Sequence, residues 1–84
     1  MFNVEWAEEA VRRLDKLDKR VAEAVLKRIS RLAAAPDRYG KPLRDLELWS
    51  LRAGDYRVLY VIDFHSTKVV IVTIGPRKTV YDRR

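Results

Sequence analysis

Two arginines, Arg52 and Arg57, stand either side of Ala53-Gly54 in the stretch WSLRAGDYRVLY, residues 49–60. Glycine takes positive φ without steric cost, so Ala53-Gly54 is the expected turn of a hairpin joining strands 49–52 and 55–63. With those two residues as the loop, Arg52 faces Asp55, Leu51 faces Tyr56 and Ser50 faces Arg57. Side chains alternate along a strand. Trp49, Leu51, Tyr56, Val58, Tyr60 and Ile62 therefore share the core face. Leu48, Ser50, Arg52, Arg57, Leu59 and Val61 share the other. A guanidinium is a planar fork that takes phosphate or carboxylate oxygens two at a time. The chemistry such a mixed face offers is the binding of an anion.

Overall charge points the same way. The 84-residue chain carries a formal net charge of +6, which suits RNA or an acidic protein as partner. The excess is spread evenly: residues 1–42 hold 10 basic and 7 acidic groups, and residues 43–84 hold 8 and 5, so each half carries +3. Only the end is locally biased, with Arg77, Lys78, Arg83 and Arg84 against Asp82. High charge with no Gln, one Asn and one Met also fits a thermophile-like composition. The absence of Cys excludes a disulfide scaffold or a thiolate metal site, and a single His excludes a His-rich one. No metal or cofactor is expected. Neither a membrane-length apolar run nor a signal h-region is present.

The elements that must position these residues follow from periodicity. Phe2 to Trp6 alternates as a strand. Ala7 to about Leu17 is helical, with Ala7, Ala10, Val11, Leu14 and Leu17 on one face, acidic residues in its first turn and no good cap. Asp18 is placed to cap a second helix from Lys19 to about Ala35, which Pro36 ends. Residues 37–42, DRYGKP, read as loop. Lys68 to Ile74 is a β-branched strand with Val70, Val72 and Ile74 on one side and Val69, Ile71 and Thr73 on the other, broken by Gly75-Pro76. The order βααβββ predicts one α+β domain over residues 1–84, a helical hairpin packed on one face of a small antiparallel sheet.

The motif LxxLWSLRxGDYRVxYxID, followed by an apolar strand and G-x-R-[KR]-x-V-Y, resembles the RelE branch of the RelE/ParE toxin superfamily. Leu43, Leu46, residues 49–52, 54–57, Ile62-Asp63 and 75–81 carry the resemblance, which has an archaeal or thermophile-like flavour. It implies the RelE-like fold and a cytoplasmic toxin of a type II toxin–antitoxin system, a metal-independent endoribonuclease that cuts mRNA in the ribosomal A site. The ribose 2′-OH would attack the adjacent phosphorus. The implied partners are mRNA, the ribosome and an acidic, RelB-like antitoxin, with no membrane. Residue by residue, it places Arg57 and Arg77 on the scissile phosphate, and Tyr81 on a base or the attacking hydroxyl. Arg52 and Lys78 become supporting phosphate contacts, and Lys41, Arg83 and Arg84 further RNA contacts. The pattern also departs from the family. Leu48 and Ser50 stand where the best-known bacterial branch has two lysines, and Pro76 where other branches have histidine. His65 reads as a surface turn residue. No ordinary general base is visible, which leaves Asp45 and Glu47 as candidates. Two alternatives stay open: a ParE-like gyrase inhibitor without nuclease chemistry, and an inactive module that binds only the antitoxin.

Overall fold

The structure, a computed structural model, describes residues 1–44 and 47–77. Five strands form one sheet in the order β1-β5-β4-β3-β2, with β1 Asn3–Trp6, β2 Lys41–Pro42, β3 Trp49–Ala53, β4 Tyr56–Asp63 and β5 Lys68–Pro76. Helices α1 (Glu8–Asp15) and α2 (Lys19–Leu32) precede a single turn, α3 (Pro36–Tyr39). The α+β layout is as expected, with two refinements. β1 pairs with β5 in parallel, while the other pairings are antiparallel. The stretch read as loop supplies α3 and β2.

α1 starts at Ala7 without a side-chain cap. Its charges compensate: Glu8–Arg12 at 3.3 Å and Glu9–Arg13 at 3.4 Å link successive turns and oppose the helix dipole. Asp18 occupies the N-cap of α2 but makes no capping hydrogen bond. α2 ends at Leu32, short of the expected Ala35, and Pro36 opens α3 instead of closing α2. Proline suits a first helical position because the N–H it lacks would be unused there. Val25, Ile29 and Leu32 of α2 and Ala10 of α1 bury against Leu51, Val58, Tyr60, Val69, Ile71 and Ile74. Each large aliphatic buried this way contributes about 1.5–3 kcal/mol.

Three strand expectations are corrected. The hairpin register is shifted: Arg52 lies opposite Arg57, Leu51 opposite Val58 and Ala53 opposite Tyr56. The turn is therefore Gly54-Asp55, with Gly54 at φ 64°. Ala53 is extended and 8% exposed, because a small apolar residue fits the core side of the strand end. Second, β5 runs through Gly75 to Pro76, which pair with Arg57 and Tyr56. Pro is tolerated at a strand's end. Third, β5 does not alternate throughout. Leu59 pairs with Thr73 but Tyr60 pairs with Ile71, so Val72 is an extra, bulged residue. The bulge puts Ile74 on the core face with Val69 and Ile71, and moves Thr73 to the opposite face. There the Thr73 hydroxyl donates to Glu9 of α1 at 2.6 Å.

Candidate functional site

The same bulge aims the end of β5. Beyond it, Gly75 lies opposite Arg57 and shares its face. Alternation then assigns Arg77 to that face, about 7 Å further along the strand. The Arg77 N–H donates to the Asp55 carbonyl at 3.0 Å, which keeps it against the hairpin turn. Without the extra residue, Arg77 would have core parity.

On the face opposite Leu51, Val58 and Tyr60 the sheet presents two rows. Lys41, Ser50, Leu59 and Thr73 pair successively across β2 to β5, and Arg52, Arg57 and Gly75 across β3 to β5. Directly opposed like charges destabilise a strand pair. An Arg52–Arg57 pair is therefore poor design for stability and good design for holding an anion. The Arg52 Nε donates to the Gly54 carbonyl at 3.3 Å, which holds its guanidinium toward the turn. Arg57 is half-buried, with its Nε out of solvent.

These residues open onto a cleft of about 360 Å³. Arg52, Arg57, Ser50 and Lys41 line it, together with Pro42, Leu43, Tyr39 and Arg28. Four of the lining residues are cationic and, among the described residues, none is acidic. Three of the expected residues, Arg52, Arg57 and Lys41, are thus brought together, while Arg77 follows the end of β5, tied by its N–H to the hairpin turn, and is not in the lining. Tyr81, Lys78, Arg83 and Arg84, and the candidate base Asp45, lie outside the described residues. Glu47 is exposed in the connection before β3, and His65 is exposed in the β4–β5 turn. Neither lines the cleft. Ser50 is 6% exposed, so the position where the best-known branch has lysine carries a small buried hydroxyl at the cleft wall.

Arg28 and Tyr39 were missed. Arg28 reads as part of a solvated helix face, and its reach into the cleft depends on β2 being only two residues long. Tyr39 sits in what reads as a turn, where its 53% exposure at a cationic cleft gives it a role no periodicity reveals.

The wall carrying Tyr39 and Lys41 is fixed from beneath. The buried Tyr60 hydroxyl donates to the Pro36 carbonyl at 2.7 Å, and its ring stacks on Trp49. Burial, with the Asp37 carboxylate next in effect, pushes the Tyr60 hydroxyl far above the usual tyrosine range and holds it as a neutral donor. Gly40 passes so close over this hydroxyl that a Cβ there would collide with it. At the far end of β4, Asp63 accepts the Ser66 N–H at 3.0 Å. That bond, chiefly, holds its carboxyl below the usual range.

Residues 4–81 match the family described as the ParE toxin of the type II toxin–antitoxin system parDE. The chain belongs to that family. Within it, the similarity is to RelE-type toxins. The chain is 41% identical to Toxin RelE of Mycobacterium tuberculosis, over 95% of this chain and 86% of that one. It is also 41% identical to Toxin RelG of the same organism, over 98% of each. The toxin–antitoxin complex RelBE2 of M. tuberculosis contains a chain that superposes with a TM-score of 0.84 at 39% identity, covering 90% of this chain and 98% of that one. The protein is thus a type II toxin of the RelE kind, and the RelE-like reading is supported over the gyrase-inhibitor alternative. The archaeal or thermophile-like flavour of the sequence is not borne out, since these relatives are mycobacterial. Among the described residues no helix is long and apolar enough to cross a membrane.

Proposed function

We propose that this toxin is an endoribonuclease that cuts mRNA on the ribosome and is held in check by an acidic antitoxin. The observation that carries the reading is the cleft in which Arg28, Lys41, Arg52 and Arg57 converge, with no acidic residue in its lining among the described residues. Attack of a 2′-OH on phosphorus gathers negative charge on the non-bridging oxygens, and preorganised guanidinium groups stabilise that charge as it develops. Arg57, half-buried between Arg52 and the side-chain-free Gly75, is placed to grip the scissile phosphate, with Arg77 beside it. Tyr39 offers a ring on which a base can stack at the mouth. Since no carboxylate or imidazole lines the cleft among the described residues, the 2′-OH proton goes to a group outside them, Asp45 or one from the chain's end, or to the ribosome.

The test is addition of the toxin to a translating extract, with message ends mapped by primer extension and gyrase supercoiling assayed in parallel. New, position-specific message ends with supercoiling intact are expected. Intact message with inhibited supercoiling would assign the gyrase reading, and neither effect would assign an inactive module.

A further inference from the structure

Beside the cleft lies a second groove. β2 pairs only with Ser50 and Trp49. Along Leu51–Ala53 the outer edge of β3 therefore has no strand beside it among the described residues, and α2 runs past it. The groove between them measures about 350 Å³. It is lined by the small residues Ala24, Ala53 and Gly54 and by Lys27, Arg28, Arg31 and Arg52. Ala24, Lys27, Arg28 and Arg31 follow helical spacing, so one stripe of α2 puts a small residue and three cations on the groove. In α1 the corresponding arginines pair with Glu8 and Glu9. Lys27, Arg28 and Arg31 form no ion pair among the described residues. Arg28 and Arg52 line both hollows, so the two adjoin.

We propose that this α2–β3 groove is a second RNA subsite, which takes the sugar–phosphate backbone of the strand flanking the nucleotides in the cleft. The proposal rests on the endoribonuclease reading. A continuous polyanion is the occupant that uses both hollows at once: its phosphates meet Lys27 and Arg31 while Arg28 and Arg52 carry it around the end of β2 into the cleft. The small side chains of Ala24 and Ala53 in the lining let a ribose approach where longer ones would obstruct it. Backbone contacts of this kind set register on the strand and carry no base information. They make affinity depend on RNA length and on salt.

The experiment compares two single-stranded oligoribonucleotides, about 3 and about 10 nucleotides long, with a 2′-deoxy sugar at the cut position, by fluorescence anisotropy over a salt series. Wild type is expected to bind the longer one more tightly. Lys27→Gln/Arg31→Gln changes two exposed side chains outside the cleft. It is expected to lose several-fold affinity for the longer oligonucleotide only, with the slope of log K against log salt reduced by about 1.4, at about 0.7 per phosphate contact. Ala24→Leu, which fills the groove without changing charge, is expected to lose the same length preference with the slope kept. Equal losses on both oligonucleotides, or none, overturn the subsite. So do variants that bind both normally but escape the antitoxin, which would assign the groove to the protein partner. Wild type that shows the length preference yet cuts no message sinks the nuclease reading and leaves the groove's assignment standing. Wild type that cuts while both variants bind normally sinks only the groove.

Discussion

Arg57 and Arg52, the arginines proposed to grip the phosphate, are paired in a way that stability alone would not select. Their direct opposition across β3 and β4 sets like charges against each other. Removing one relieves that repulsion and offsets the packing lost. Arg57→Ala is therefore expected to melt close to the wild-type temperature while cleavage in the translating extract falls by about 10²–10³, the usual cost of losing a charge-stabilising donor. Arg57→Lys keeps the charge and loses the fork, and is expected to recover only part of the rate. Arg77→Ala, at an exposed site, should show the same split. A circular-dichroism melt beside message-end mapping reads both quantities, and full activity in either alanine variant would remove that arginine from the site. The two arginines of the hairpin and their common face were legible from alternation alone. Their direct pairing was not, because one residue of turn position changes every cross-strand partner while leaving each residue's own face unchanged. Arg77 was legible only through family resemblance. By plain alternation it has the wrong parity, and the bulge at Val72 that corrects it leaves no mark in a run of β-branched residues.

At the scale of elements, the cleft depends on α3 and β2, two pieces too short to show a period. They are held by one buried hydrogen bond, Tyr60 to Pro36, and by the close passage of Gly40 over it. Tyr60→Phe leaves the Pro36 carbonyl buried without its donor, which costs about 1 kcal/mol and lowers the melting temperature by about 4–8 °C in a domain this small. The same bond gives a pH signature. Tyr60 keeps its proton in the folded state well above the pH, about 10, at which an unfolded tyrosine loses it. Above that pH the folded state binds more protons than the unfolded one. Stability that is fully present below about pH 10 is then lost as pH rises toward the raised folded value. Urea melts at about pH 8 and about pH 11 should show a steeper alkaline loss for wild type than for Tyr60→Phe, and equal losses would remove Tyr60 as the cause. Gly40→Ala, which drives a Cβ into the hydroxyl, is expected to weaken RNA binding together with stability, since Tyr39 and Lys41 move with it. Long, strongly periodic elements were readable from the sequence. Tyr60 was readable as core, but its role as anchor depends on a partner twenty-four positions away in the chain.

For the whole molecule, charge was legible as a total and not as a site. The +6 is split evenly along the chain, and only folding gathers Arg28, Lys41, Arg52 and Arg57 from four elements into one hollow. A cleft so rich in cations, with no base among the described residues, is expected to bind phosphate well and to activate a 2′-OH poorly. Naked RNA is accordingly expected to be bound and cut slowly, and ribosome-bound message cut fast. Rapid site-specific cleavage of free RNA at neutral pH would contradict this. An antitoxin that silences the cleft is expected to meet the same surface. An acidic chain that orders on binding can neutralise several cations at once, and that contribution is screened by salt. The fold also leaves Val11 on α1 and Leu26 on α2 more than two-fifths exposed, along with Phe64 at the far turn. These are surfaces on which a partner helix can bury apolar area that salt does not weaken. Most of the affinity is therefore expected from apolar burial, with charge setting the rate of encounter. Titration at about 0.1 M and about 1 M salt should raise the dissociation constant by no more than one to two orders of magnitude, chiefly through a slower on-rate. A collapse of affinity by several orders would instead make the arginine face the main anchor. Val11→Ser and Leu26→Ser would then leave the complex intact, where apolar docking requires that they weaken it.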